Sequence, residues 1–219
     1  AIAYNLAIPL LFAVTVTGAF TLGYNLAEIV RRQRFPAASI WGPVLAGILS
    51  FLFVVVLGNL DGAVQLIQGS WDVIQGEKFP RFEFWRSSRM IPGQLIITEF
   101  PFWTFLFADL HAHLMVIPFT LVALGLVLAL IMDDSARSNW GGIAGRTLIL
   151  ALVVGAFAAI NTWELPTYLG IGVMAFVIMA ITGKGDVRQR IVLTSILACV
   201  FVLFAILFFL PYHLVGDSK

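Results

Sequence analysis

The sequence predicts an all-α, polytopic transmembrane bundle of about six spans, and three observations predict it. Of 219 residues, 60% are hydrophobic and only 11% are charged, where a soluble domain carries roughly 25% charged residues. Mean hydropathy is +0.98. The apolar residues are gathered into runs long enough to cross a hydrocarbon core, which takes about 20 helical residues. This composition excludes an ordinary water-soluble enzyme and a disordered tail. The net charge of +1 offers no field for nucleic-acid phosphates. The single cysteine, Cys199, sits in an apolar run and can make neither an internal disulfide nor a thiolate metal site.

The elements follow in order, within one transmembrane domain covering 1–219. The first span runs from about Tyr4 to Val30 and stops at the basic cluster Arg31-Arg32-Gln33-Arg34. The second runs from about Ile40 to Leu60. A polar and aromatic outer loop follows, about 59–98. The stretch Leu95 to Ala108 is apolar but interrupted by Glu99 and Pro101, and reads as an interfacial or re-entrant piece. The third span is placed at about 110–132, ending at Asp133-Asp134. The fourth covers about 147–160, the fifth 168–181, and the sixth 191–210, ending at Pro211. The opening AIAYNLAIPL has no basic region ahead of an apolar one, so it is not a secretory signal peptide. It reads as part of a longer chain.

Short basic loops set the orientation in a membrane. With Arg31, Arg32 and Arg34 cytoplasmic, alternation also puts Arg137, Arg146, Lys184, Arg188 and Arg190 there. Lys78, Arg81, Arg86, Arg89 and Lys219 fall on the other side. The same alternation places Asn59, Asp61, Glu99, Asp109, His111, His113, Asn161, Glu164 and His213 at the outer ends of spans. Ionisable groups at membrane depth are costly and face cavities or partners. Their one-sided gathering points to a single extracytoplasmic site in a multi-pass protein of the plasma membrane.

Three segments could carry chemistry. The densest is Thr98-Glu99-Phe100-Pro101-Phe102-Trp103, continuing to Asp109-Leu110-His111-Ala112-His113. On a helix Asp109 and His113 share a face; in an extended stretch Asp109, His111 and His113 do. Either arrangement sets a carboxylate beside an imidazole for proton transfer, or supplies ligands for a divalent metal ion from Asp109, His111 and His113. The plain structural role would be a helix cap with interfacial histidines. The second segment, Asn161-Thr162-Trp163-Glu164-Leu165-Pro166, is a turn first, because Pro166 cannot continue a helix from before it. Glu164 gains interest from facing the same side as Glu99 and Asp109. In the long loop, Asn59-Leu60-Asp61-Gly62 is a turn signal. There Trp85 with Arg86 and Arg89 could hold a sugar face or a phosphate, or anchor the loop to headgroups.

The runs AIAYNLAIPLLFAVTVTGAF, GNLDG, ITEFPFWTFLFADLHAHLMVIPF and NTWELPTY resemble the archaeal and green non-sulfur bacterial membrane family named for a Tyr-Tyr-Tyr signature (Chlor_Arch_YYY). The likeness covers nearly the whole chain. It implies a relationship to the multi-spanning GT-C glycosyltransferases, which use lipid-phosphate sugars at the outer membrane face with an acidic residue as base. It also implies that Glu99, Asp109, His111 and His113 occupy the family's most distinctive motif, and Asn161, Trp163 and Glu164 a second. The Tyr-Tyr-Tyr signature itself would lie ahead of Ala1.

The leading expectation is therefore a GT-C-like glycosyltransferase fed by a polyprenyl-phosphate-linked sugar. Glu99 or Asp109 would be base or metal-holder, with His111 and His113 orienting and Arg86 or Arg89 on phosphate. Glu164 is the further catalytic candidate. Asn59, Asp61, Trp85, Asn161 and Trp163 are candidates for substrate contact. A structural subunit packed against other membrane subunits is the alternative reading. A proton-coupled transporter is weaker, since the acids sit at span ends and no paired broken helices are evident.

Overall fold

The computed structural model describes residues 2–57, 60–83, 85–88, 98–132, 140–183 and 185–216. Among these residues the regular structure is helical throughout, with no strand. The chain divides into two compact units, Ala1–Leu114 and Met115–Lys219. Among the described residues, five helices are long and apolar enough to cross a membrane, and two further successive helices joined at a sharp bend pass the same test when taken together.

In the first unit, α1 (Ile2–Arg34) has 33 residues and is longer than the first span expected from hydropathy. The basic cluster does not stop it but forms its last turn, where cationic side chains complement the helix dipole. Arg31 also donates to the carbonyls of Pro36 and Ala38, which satisfies acceptors in the following turn. The buried Glu28 carboxylate pairs with Arg31 and Arg32 at 2.7 and 2.6 Å. Helix α2 (Trp41–Phe51) runs into a π-helical turn, Leu52–Val56. It packs antiparallel on α1 through small residues. A Cβ on Gly47 would stand 2.7 Å from the Phe20 ring, and one on Gly23 would meet Ser50. Close backbone approach is how helices pair where lipid supplies no hydrophobic drive.

The long loop contains a helix that the turn-like GNLDG had hidden, α3 (Asp61–Ile74). Its Gly62 and Gly69 let the Phe102 and Phe79 rings approach, so these glycines serve packing rather than a turn. Of the apolar stretch 95–108, residues 95–97 lie outside the described residues, and the described part forms the short α4 (Pro101–Phe107), roughly 10 Å long and by itself unable to span. Pro101, expected as an interruption, is the start of that helix, where a missing N–H costs nothing.

In the second unit, α5 continues from Ala112 to Met132. Helix α6 (Trp140–Gly155) begins earlier than expected and breaks before α7 (Phe157–Ile160). At the break a Cβ on Gly155 would collide with the Ala205 carbonyl. Helix α8 (Leu165–Thr182) holds Pro166 in its first turn. Helix α9 (Val187–Leu207) starts at an Asp186 cap whose carboxylate accepts from the Gln189 N–H at 2.8 Å. Pro211 does not end the helical chain: it falls in the first turn of α10 (Leu210–Gly216), a position proline tolerates. The core of this unit is Leu130, Leu150, Phe157, Phe176, Leu197 and Phe201 with their neighbours. Phe201 closes over Gly172, where a Cβ would lie 2.5 Å from its ring. Large apolar side chains such as Leu6, Leu10, Ile181 and Leu203 remain exposed, as a lipid-facing surface requires.

Candidate functional site

The junction between α4 and α5 is built by one left-handed residue. Ala108 ends α4 at φ 61°, ψ 42°, a conformation that disfavours residues with a Cβ. Tyr4 of α1 holds it there. The Tyr4 hydroxyl donates to the Ala108 carbonyl at 3.0 Å and accepts from the Leu110 N–H at 3.3 Å. The Asp109 N–H in turn donates to the Thr104 carbonyl at 3.2 Å. On the other side of α4, Phe100 is extended and turns the chain so that Glu99 lies beside the junction.

This places four sequence-predicted residues in one cluster. His111 Nδ1 is 2.8 Å from Asp109 Oδ2. His111 Nε2 and His113 Nε2 face the two oxygens of Glu99, at 3.8 and 3.1 Å. The two rings stand 5.6 Å apart, centre to centre. Thr104 Oγ1 lies 3.4 Å from His113 Nε2. The result matches neither simple geometry. Asp109 and His111 meet two residues apart, as in an extended stretch, whereas His113 already belongs to the first turn of α5 and is tied in through Glu99. All four side chains remain between about a quarter and a half exposed. A carboxylate holding one imidazole nitrogen leaves the other nitrogen to exchange a proton with a second carboxylate. Among the described residues no three His, Cys, Asp or Glu side chains are grouped to hold a metal ion. The imidazoles of the candidate ligand set, Asp109, His111 and His113, are turned onto carboxylates instead.

A second feature shares α4 as its scaffold. Trp103 stacks on Phe107 at 5.0 Å, and Trp85 tilts against both at 5.7 and 5.4 Å. Trp103 is buried, but Trp85 keeps 42% of its surface exposed. Next to it, Arg86 forks onto Asp61. Its Nε donates to both carboxylate oxygens at 2.9 and 3.0 Å, and its Nη2 lies 2.8 Å from Oδ1. That pair holds the Asp61 carboxyl below its usual range, chiefly through the Arg86 hydrogen bonds, with a further lowering from Gln65 against the opposing effect of burial. The predicted phosphate ligand is thus engaged with an acid of α3. Asn59 and Arg89 lie outside the described residues, as do Arg137 and Lys184 of the basic loops.

Within the second unit, Asn161 is extended at φ −153° and ends α7. Thr162–Glu164 makes a 3₁₀ turn, closed by the Glu164 N–H donating to the Asn161 carbonyl at 3.0 Å. Trp163 on that turn is 90% exposed, which suits an interfacial aromatic better than a pocket wall. Residues that sequence reasoning missed are Tyr4, Thr104, Trp103 and Phe107. Thr104 and Trp103 stand inside the singled-out motif but carry no charge to draw attention. Nothing local marks Tyr4, whose partners are over a hundred positions away.

The sequence profile of a family described as uncharacterized membrane protein, DUF2298, matches residues 1–219. The chain belongs to that family. No curated protein and no solved structure matches it. DUF2298 membership agrees with the five apolar helices of spanning length, and the chain is a multi-pass membrane protein.

Proposed function

We propose that this DUF2298 protein is a GT-C-like glycosyltransferase, using a polyprenyl-phosphate-linked sugar at the extracytoplasmic face of the plasma membrane. The observation that carries the reading is the Asp109–His111–Glu99–His113 cluster at the head of a membrane-spanning helix. In the reaction, an acceptor hydroxyl attacks the anomeric carbon. The new carbon–oxygen bond forms as the bond to the polyprenyl phosphate breaks, and the hydroxyl proton passes to a carboxylate. Asp109 is the base, through His111 or directly. Glu99 keeps both imidazoles oriented and takes the proton onward. The phosphate leaves with its bonding pair, stabilised by the guanidinium of Arg86, whose neighbour Trp85 offers an exposed indole to the sugar face.

The test is sugar transfer from a polyprenyl-phosphate sugar in membranes bearing the full-length protein. Asp109→Asn and Glu99→Gln should each lower transfer by about 10²–10⁴-fold, the usual worth of general acid–base catalysis, with membrane insertion unchanged. Full activity in both variants would overturn the assignment. Co-purification in fixed stoichiometry with other membrane subunits, with no transfer defect on deletion, would favour the structural-subunit reading instead.

A further inference from the structure

Helix α3 carries a feature that the proposed reaction does not use. Its positions 60, 64, 67, 71 and 74 repeat at three- and four-residue intervals, counting Leu60 just before the helix, and so form one stripe. The residues are Leu60, Val64, Ile67, Trp71 and Ile74, and they are 43–75% exposed. The opposite side is buried through Gly62, Gln65 and Gly69. The apolar side of this amphipathic helix therefore faces away from its own unit, the reverse of a helix seated on a soluble core.

Its direction says what covers the stripe. The axis of α3 stands at 95° to that of α2 with its π turn. Helix α2 is paired antiparallel with α1, which is long enough to span. Spanning helices tilt about 20° from the bilayer normal, so a helix at right angles to them lies close to the membrane plane. Trp71 on the stripe is the residue type enriched at that depth. We propose that α3 is a membrane-surface helix, lying flat in one leaflet with Leu60, Val64, Ile67, Trp71 and Ile74 among the upper acyl chains. Its inner side fixes the adjoining loop at the same level. Gln65 Oε1 accepts from the Glu83 N–H at 2.8 Å, Gln65 Nε2 donates to the Glu83 carbonyl at 3.1 Å, and Asp61 holds Arg86. The lipid-docked helix thus presents Trp85 and Arg86 at headgroup depth, where a phosphate-linked lipid carries its polar end. The docking itself does not depend on the glycosyltransferase reading.

Site-directed nitroxide labelling of the full chain in phosphatidylcholine–phosphatidylglycerol vesicles tests it, because it reads depth rather than transfer. In a Cys199→Ser background, labels at Ile67→Cys and Ile74→Cys should be several-fold more accessible to oxygen than to a water-soluble nickel chelate. Their depth should be about 5–10 Å below the phosphates, as for interfacial helices. A label at Gln68→Cys, on the polar flank, should show the opposite preference. Equal nickel access at all three sites would place α3 in water or against another protein and overturn the proposal. A depth near the bilayer centre would overturn it in favour of a broken span made of α2 and α3. A label at Glu77→Cys, beyond the helix, controls for misinsertion by remaining water-accessible.

Discussion

Tyr4 and Ala108 form the contact on which the candidate site depends. The left-handed Ala108 lets the chain reverse between α4 and α5, and the Tyr4 hydroxyl satisfies two backbone groups across the reversal. Ala108→Gly should therefore be neutral or raise the melting temperature in detergent, since glycine avoids a cost of about 1–2 kcal/mol for the left-handed region. Ala108→Val should lower it, and a higher melting point for the valine variant would contradict the backbone assignment. Tyr4→Phe removes both bonds and should cost about 1 kcal/mol of stability. Sugar transfer should fall with it, because Asp109 follows the pinned residue directly. The Asp61–Arg86 pair behaves differently. The native carboxyl is depressed, so its stabilisation is complete above the ordinary aspartate range near pH 4 and is lost as the pH drops through the lower native value. Melting curves of the native chain should fall more steeply below pH 4 than those of Asp61→Asn. Parallel curves would show that the pair contributes nothing, as many exposed ion pairs do.

At the scale of elements, periodicity and punctuation were good guides where a helix was long and apolar on every side. Helices α5, α8 and α9 lie close to the spans read from hydropathy. The errors cluster where proline or glycine was taken as a stop. Pro101 and Pro211 fall in the first turn of a helix, since only an interior proline clashes with the turn before it; Pro166 likewise opens α8, directly after the turn expected there. Gly62 of the turn-like GNLDG lies inside α3, where the Phe102 ring occupies the space a side chain would need. The glycine at the α6 break makes the sharpest prediction here. Gly155→Val should force α6 from the Ala205 carbonyl and cost about 1–3 kcal/mol, the usual penalty for overpacking. Thermal unfolding in detergent measures it, and an unchanged melting point would mean that the two helices do not approach this closely. Gly145, where an added Cβ would meet nothing within 4 Å, is the matched control and should tolerate alanine.

For the whole molecule, the count of crossings decides which residues share a side of the membrane. The eleven residues of α2 and the five of its π turn make a rod of about 24 Å, short of a 30 Å core. Its apolar character and its antiparallel seat on α1 still favour a crossing, because a short span can thin the bilayer locally at modest cost. Membrane-impermeant thiol reagents should then label Ser39→Cys and Glu77→Cys from opposite faces, with Ser39 on the cytoplasmic side in the Cys199→Ser background. Labelling of both from one face would show that α2 does not cross. That result would conflict with the Tyr4–Ala108 contact, which seats the Glu99 cluster at the end of α1 opposite its basic last turn.

By itself the sequence determined the all-α membrane class and the main apolar helices, and it singled out Glu99, Asp109, His111 and His113 as candidates. Hydropathy and charge are properties of short windows, and a bilayer sorts windows by those properties alone. Only the tertiary structure decided that Glu99 joins both imidazoles, that Arg86 is held by Asp61, that α3 exists, and that Tyr4 secures the turn on which Asp109 and His111 depend. Each of these rests on groups from different elements meeting across tens of residues. Such meetings follow from how close the glycines let helices and rings approach and from which backbone groups remain to be satisfied, and no local window contains that information.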